Sequence, residues 1–418
     1  MKTIRMIISA ILLMIAAAAF AAAILIFTFG GSAIIGAVSV LLALSILILL
    51  AVLIYHTCNI KTNGWRGLLL QVRILRELYE AGIYTVTRCN TIRYPRVTVH
   101  LNADRTKGAV EIEQTIKTQG KLDHELSAAF GDFVIQRSYI SRNHNSVIYE
   151  IMRWDYNPQL VFTSLQEMSE YCQKHTDAWH LVIDQDLSFP YQHILVTGQT
   201  GSGKSYAMYA LIFQMLRAST DLYFIDLKNA GIAILGSTIN PAHTATTLQN
   251  VMELLRELKD LQDNREAIVK KALQEKRRFD GDWRMTDLKP CCLIIDEYAA
   301  LQAVVKDADR KIQTEFNSIM TSLLLKGRST GIFLMISLQQ ANASILPTKF
   351  RDNLSAKFLL RRGLERETAV TTFGETEASE LPTTDADVGE AFYKVAGNNA
   401  EVSTCTFPRL DFDLRELL

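Results

Sequence analysis

The chain has 418 residues, and its 44 Lys and Arg are balanced by 44 Asp and Glu, so it carries no formal net charge at pH 7. That length allows two or three domains, while the charge balance excludes a chain-wide basic field as a route to nucleic acid and leaves only local basic tracks. The six cysteines (Cys58, Cys89, Cys172, Cys291, Cys292, Cys405) show no paired metal-type spacing, and adjacent Cys291 and Cys292 read as small buried hydrophobes in a reducing compartment.

From Met6 to Tyr55 there is no Asp, Glu, Lys or Arg. This is about twice the roughly 20 residues a membrane-spanning helix needs. Gly30, Gly31 and Ser32 divide the stretch, which predicts two transmembrane helices over about residues 4–27 and 33–55 joined by a short hairpin. Lys2 and Arg5 precede the first span, and Lys61, Arg66, Arg73 and Arg76 follow the second, so both ends are expected in the cytoplasm. A cleavable signal peptide is the alternative, because the same basic residues precede an apolar core and an alanine run. It would carry everything downstream out of the cytoplasm.

Residues 59–154 read as a small α+β membrane-proximal domain. Leu69, Val72, Leu75, Leu78 and Tyr79 recur at helical spacing, with Gly82 as a stop. Alternating runs at 96–101 and 109–112 predict strands, 122–130 a short amphipathic helix, and 133–135 and 146–152 further strands. His100, His124 and His144 have no ligand spacing, and no catalytic constellation is present. An assembly or docking role is the default for such a domain.

Residues 155–418 hold the chemistry. After a predicted helix at 164–175 and a hairpin around Trp179 to Ile183, the apolar run Ile194, Leu195, Val196 breaks into Gly198-Gln199-Thr200-Gly201-Ser202-Gly203-Lys204-Ser205, and a helix-forming stretch follows. This is G-x-x-x-x-G-K-S between a strand and a helix, the P-loop pattern in its confirming context. The glycines permit backbone angles that turn successive N–H groups around a phosphate at the positive end of the new helix. Lys204 is expected to reach the β- and γ-phosphates of ATP, and the Ser205 hydroxyl to ligate Mg²⁺. A strand ending in Asp226 and Lys228 comes next, then a charged helix over about 244–278. Its Lys270, Lys271, Lys276, Arg277 and Arg278 read either as a DNA-facing patch or, with acidic residues interleaved, as a solvated face.

The run Cys291-Cys292-Leu293-Ile294-Ile295-Asp296-Glu297 suits a buried parallel strand that presents two carboxylates at its C-terminal edge. There Asp296 would hold Mg²⁺ and Glu297 would polarise the attacking water. A helix over about 309–325 leads through Lys326-Gly327-Arg328-Ser329-Thr330-Gly331 to a buried strand, Ile332 to Leu338, followed by Gln339 and Gln340. With that strand added between the two motif strands, Gln339 stands beside the γ-phosphate as its sensor. A short strand at 357–361 and a hairpin turning at Gly397-Asn398-Asn399 complete the domain.

These residues in this order resemble the FtsK/SpoIIIE family of DNA-translocating ATPases, in the additional-strand class of RecA-like P-loop folds that includes HerA. The resemblance covers roughly Tyr191 to Pro408 and rests on the glycine loop, Ile225 to Lys228, Ile294 to Ala299, Gly327 to Ile332, and Ser337 to Gln339. It implies a hexameric ring around DNA and puts Arg328 where the family places an arginine that reaches a neighbour's ATP. Chromosome-partitioning members carry more membrane spans, a long linker and a C-terminal winged-helix module, none of which this sequence shows. Two spans, a small domain and one motor look like the TcpA-type coupling proteins of conjugative elements. Under that resemblance the chain is a two-pass cell-membrane protein with its motor in the cytoplasm, and its partners are DNA, relaxase and conjugation-channel proteins. A protein-secretion ATPase of the same motor class, and a nucleotide-binding scaffold without turnover, are the alternatives.

Overall fold

The computed structural model describes residues 45, 48, 60–86, 92–114, 122, 126–341, 345–379, 381, 386–397 and 402–413. The two spans expected at 4–27 and 33–55 lie outside the described residues apart from Ser45 and Ile48. Among the described residues no helix is long and apolar enough to cross a membrane. The chain divides into two compact units, Met1–Tyr156 and Asn157–Leu418.

In the first unit, α1 (Ile60–Glu80) lies against an antiparallel sheet of β1 (Val97–Leu101), β2 (Lys107–Glu113), β3 (Phe133–Ile140) and β4 (Ser146–Arg153), in the order β1-β2-β4-β3. Strand alternation turns Val97, Val99, Val110, Ile112, Tyr149 and Ile151 to one face, where Leu70, Ile74 and Leu78 of α1 complete the core. The Asn63 side chain ties helix to sheet. Its Nδ2 donates to Val99 O at 2.6 Å and its Oδ1 accepts from Leu101 N at 2.9 Å. The helix starts well before the predicted Leu69, with a kink at Gly64, whose φ is 62°. Where the sequence predicts an amphipathic helix at 122–130, the described residues form only a 3₁₀ turn, Ser127–Phe130.

The second unit opens with α2 (Leu165–His175), capped by Ser164 Oγ accepting from Glu167 N, and a hairpin of β5 (His180–Val182) and β6 (Ser188–Pro190). There follow β7 (Ile194–Thr197), α3 (Lys204–Arg217), β8 (Asp221–Ile225), α4 (Gly231–Ile239), β9 (Thr244–Ala245), α5 (Leu248–Glu275), β10 (Cys291–Ile295), α6 (Tyr298–Lys306), α7 (Arg310–Thr330) and β11 (Ile332–Leu338). The chain then forms α8 (Thr348–Asn353), β12 (Ala356–Leu360), α9 (Arg366–Phe373), β13 (Glu390–Val395) and β14 (Ser403–Thr406). The sheet order is β9-β8-β10-β11-β7-β12-β13-β14, parallel from β9 through β12 and antiparallel beyond. Both faces are covered. Ile194 and Val196 pack with α3 on one side, while Leu195 packs with α5 and α7 on the other, as a doubly wound sheet requires.

Two helix boundaries depart from the sequence expectation. Residues 244–245 pair with β8 as a strand, so the long helix begins at Leu248 behind the Thr247 cap. The stretch Lys326 to Thr330 continues α7 instead of leaving it, and the stop is Gly331, at φ 74°. Gly327 is there for closeness: a Cβ on it would lie 2.3 Å from Ile332 O and 3.2 Å from His193 Cε1.

His193, just ahead of β7 and 2% exposed, accepts the Leu334 N–H of β11 on Nδ1 at 3.0 Å. Burial, with the Arg328 charge adding to it, pushes its pKa down to about 4. A group depressed in the folded state contributes stability that is fully present above its unfolded pKa near 6.5 and is lost as pH falls toward the folded value. The Asn157–Leu418 unit is therefore expected to lose roughly 2 kcal/mol between pH 7 and pH 5 from this group. Urea unfolding at both pH values checks this, and His193→Gln should flatten the difference.

Candidate functional site

The C-terminal ends of β7, β10 and β11 converge because β11 sits between the other two. The loop from Gly198 to Gly203 leaves β7 there and enters α3 at Lys204. Gly201 and Gly203 take φ of 81° and 98°, open to glycine at little cost. Gly203 has a second reason, since a Cβ on it would stand 2.9 Å from Val388 Cγ1 and 3.1 Å from Gly389 N. The loop is braced internally, with Ser202 N and Oγ both donating to Gln199 O, and from outside by Gly389 N donating to Ser202 O at 3.1 Å. Its N-terminal helix end offers backbone N–H groups to an anion.

Ser337, in β11, is the hub. Its hydroxyl donates to Asp296 Oδ1 at 2.6 Å and accepts from Glu297 N at 3.1 Å and from Lys204 Nζ at 3.3 Å. Glu297 occupies the left-handed region at φ 48°, uncommon for a non-glycine residue, and this turns its carboxylate back toward the loop. Its Oε2 lies 3.5 Å from Lys204 Nζ and 3.4 Å from Lys228 Nζ, and its Oε1 accepts from Gln339 N at 3.3 Å. With only 10% and 7% of their side chains exposed, Lys204 and Glu297 form a desolvated pair and not a surface salt bridge.

The structure thus brings Lys204, Asp296, Glu297 and the Gln339 backbone together. Ser205 stands exposed in the first turn of α3, open to a ligand. Gln199 turns aside, its Nε2 donating to Glu365 Oε1 at 2.7 Å, and Gln340 reaches the same carboxylate. Arg328 is not brought to this cluster. It is exposed in the last turn of α7, at the N-terminal end of β11, beside Asp282, Trp283 and Arg284. The sequence reading missed Ser337 and Lys228 as site residues. The signal for Ser337 was a hydroxyl in an otherwise apolar, wholly buried strand. Asp226 is structural: fully buried, it accepts the N–H groups of Lys228, Ala230 and Ala233 and so aims Lys228. Of the basic residues near the end of α5, Lys271 pairs with Glu275, Lys276 donates to Met285 O, and Arg278 pairs with Asp280. Among the described residues no group of three or more His, Cys, Asp or Glu is placed to hold a metal by protein ligands alone.

Against known proteins, residues 174–282 match the FtsK/SpoIIIE family model, a span that includes the glycine loop and Asp226 and ends before Asp296. The FtsK domain-containing protein YdcQ of Bacillus subtilis is 28% identical over 186 residues, 44% of this chain and 37% of that protein. The DNA translocase FtsK of Lactococcus lactis subsp. cremoris is 24% identical over 199 residues, 44% of this chain and 25% of that protein. The matched regions thus span well under half the length of these curated relatives. Among solved structures, the pCW3 conjugation coupling protein TcpA, in monomer form with ATPγS, aligns with a TM-score of 0.51 at 18% identity, covering 83% of this chain and 96% of that one. The fold is that of a RecA-like P-loop ATPase, and the sequence resemblance is to FtsK/SpoIIIE proteins.

Replacing Ser337 by Ala would strand a half-buried carboxylate oxygen and a buried N–H at once. Such losses cost about 1–3 kcal/mol each. Urea unfolding of the Asn157–Leu418 unit should show a clear drop in midpoint for Ser337→Ala, and an unchanged midpoint would show that the hydroxyl is not the hub described.

Proposed function

We propose that this chain is a membrane-anchored ATPase that drives DNA translocation, serving as the coupling protein that feeds DNA to a conjugation channel. The observation that carries the reading is the meeting of Lys204, Asp296 and Glu297 on the Ser337 hydroxyl beside the glycine loop. DNA as the cargo is supported by the resemblance to FtsK-type relatives, one of which is named a DNA translocase. The conjugation role draws on the two uncharged apolar stretches, the small domain after them and the single P-loop, an arrangement resembling coupling proteins.

The donor set suits Mg–ATP. Ser205 offers a hydroxyl and Asp296 a carboxylate, both hard oxygens for a Mg²⁺ that keeps waters and takes phosphate oxygens, and the loop N–H groups cradle the phosphates. Bound there, Mg²⁺ would supply neutralisation of the phosphate charge. Lys204 leaves its contacts with Ser337 and Glu297 for the phosphates, so Glu297 is released to accept a proton from the attacking water. Lys228 stays on Glu297 Oε2 and holds that carboxylate in place. Gln339, bonded through its backbone to Glu297 Oε1, links the state of the γ-phosphate to the end of β11. Arg328 lies just before the N-terminal end of β11, away from its own chain's cluster, which leaves it available to another subunit; in the proposed hexameric ring it completes a neighbour's site. The anchor at residues 4–55 holds both termini and the motor on the cytoplasmic side of the cell membrane, where relaxase and channel proteins would dock.

Lys204→Ala should reduce DNA-stimulated phosphate release by at least about 10²-fold, the scale of losing one preorganised charge donor in a transition state. Glu297→Gln should stop release while nucleotide binding, read by a fluorescent ATP analogue, persists. Near-normal turnover in the first variant would remove the P-loop assignment, whereas a wild-type chain that binds nucleotide without DNA-stimulated phosphate release would leave the scaffold reading.

Arginines supplied in trans can be worth roughly 10³ to 10⁵ in rate in P-loop systems. A mixture of Arg328→Ala and Lys204→Ala subunits is therefore expected to regain activity that neither parent shows, because some interfaces pair an intact loop with an intact arginine. If hexamers form and the mixture stays inactive, Arg328 does not act in trans.

A further inference from the structure

α1 is apolar on two opposite faces, and its sheet covers only one. Leu70, Ile74 and Leu78 are buried in the core of the first unit. On the other side Trp65, Leu69 and Val72 are 69%, 67% and 56% exposed, and Tyr79 follows at 49%. At 3.6 residues per turn these positions fall within one narrow stripe, with Arg76 inside it and Arg66 and Arg73 along its flank. Trp154, 72% exposed, shares a shallow depression with Arg66, Leu69, Arg73 and Arg153. Single exposed hydrophobics need no explanation, but a run of large ones along one helix, headed by tryptophan, marks a surface that meets something apolar.

The sequence just upstream says what that is. The uncharged stretch ends at Tyr55, and α1 begins at Ile60. Five residues reach at most about 17 Å, so an anchor ending at Tyr55 keeps the start of α1 at the membrane surface. The charges are ordered to match: Arg66, Arg73 and Arg76 lie along the helix, while its acidic residues, Glu77 and Glu80, come only in the last turn, where Glu80 pairs with Arg76 at 2.8 Å. Tryptophan prefers the boundary between headgroups and acyl chains, and arginine lays its stem on apolar surface with its guanidinium on phosphate.

We propose that α1 from Trp65 to Arg76 lies flat on the cytoplasmic leaflet, with Trp65, Leu69, Val72 and Trp154 at the headgroup boundary and Arg66, Arg73 and Arg76 on lipid phosphates. This rests on the anchoring reading and adds to it a second contact that fixes the orientation of the first unit against the bilayer.

The test uses the full chain reconstituted into vesicles of phosphatidylglycerol and phosphatidylcholine whose acyl chains are brominated near the headgroup, with flotation measured alongside tryptophan emission. Bromination should quench the wild-type emission, and the quenching should be lost in the Trp65→Phe, Trp154→Phe double variant, since of the remaining tryptophans Trp283 is buried and Trp179 is half-buried against it. Leu69→Asp with Val72→Asp, both at exposed positions that leave the core intact, should weaken quenching without reducing flotation. Wild-type protein that floats but is not quenched overturns the proposal and leaves the anchor standing. Protein that does not float removes the anchor and this surface with it. Emission that shifts with protein concentration in lipid-free detergent and not with bromination would assign the stripe to a second copy of the chain, which also overturns the proposal.

Discussion

Because β11 is hydrogen-bonded on both sides, to β7 along Ile194–Thr197 and to β10 along Cys291–Ile295, the ends of these three strands cannot move independently. That constraint puts the glycine loop, the Asp296–Glu297 pair and Gln339 at the same end of the strands, and it places Ser337 within reach of Lys204, Asp296 and the Glu297 N–H. A hydroxyl has one proton and two lone pairs, and Ser337 spends all of this capacity on Asp296, Glu297 N and Lys204. The desolvated Lys204–Glu297 pair is tolerable only because each partner has other polar contacts, from Ser337, Lys228 and the Gln339 N–H. A carboxylate held by two cations and a backbone N–H has a defined position before any ligand arrives, which is the preorganisation that phosphoryl transfer demands of a protein.

The other end of the strands is built with a different economy. His193 bonds β7 to β11 ahead of the site, and Gly327 lets α7 approach both Ile332 and that imidazole. The aromatic rings of Trp179, Tyr191, Trp283 and Phe333 pack edge to face around the same end. Arg328 lies beside this packed cluster of rings. In the proposed ring, an arginine meant for a neighbouring subunit is best carried on such a support, because a mobile side chain on a mobile loop would lose the entropy of positioning at every turnover.

The first unit shows the same logic at smaller scale. One helix serves a four-stranded sheet with its inner face and, in the proposed arrangement, a lipid surface with its outer face. Asn63 pins the start of that helix to β1, so the exposed stripe is held in a fixed orientation relative to the sheet.

Local chemistry in the sequence was enough to specify the P-loop, the apolar strand ending in Asp296 and Glu297, and β11 from Ile332 to Leu338, since glycine spacing, uninterrupted hydrophobicity and flanking helix signals act over a few residues. It misjudged the end of α7 because Gly327 and Gly331 look alike in a string. Only the backbone angle of Gly331 and the neighbours of Gly327 show that one ends the helix and the other packs it. The contacts of Ser337 and Lys228 could not be assigned from the sequence for a stronger reason: their partners are distant along the chain and meet only through the strand order. Tertiary structure alone decided that order, that Asp226 serves a turn, and that Arg328 faces away from its own chain's loop. Each of these is a contact between segments whose separation along the chain carries no information about their separation in space.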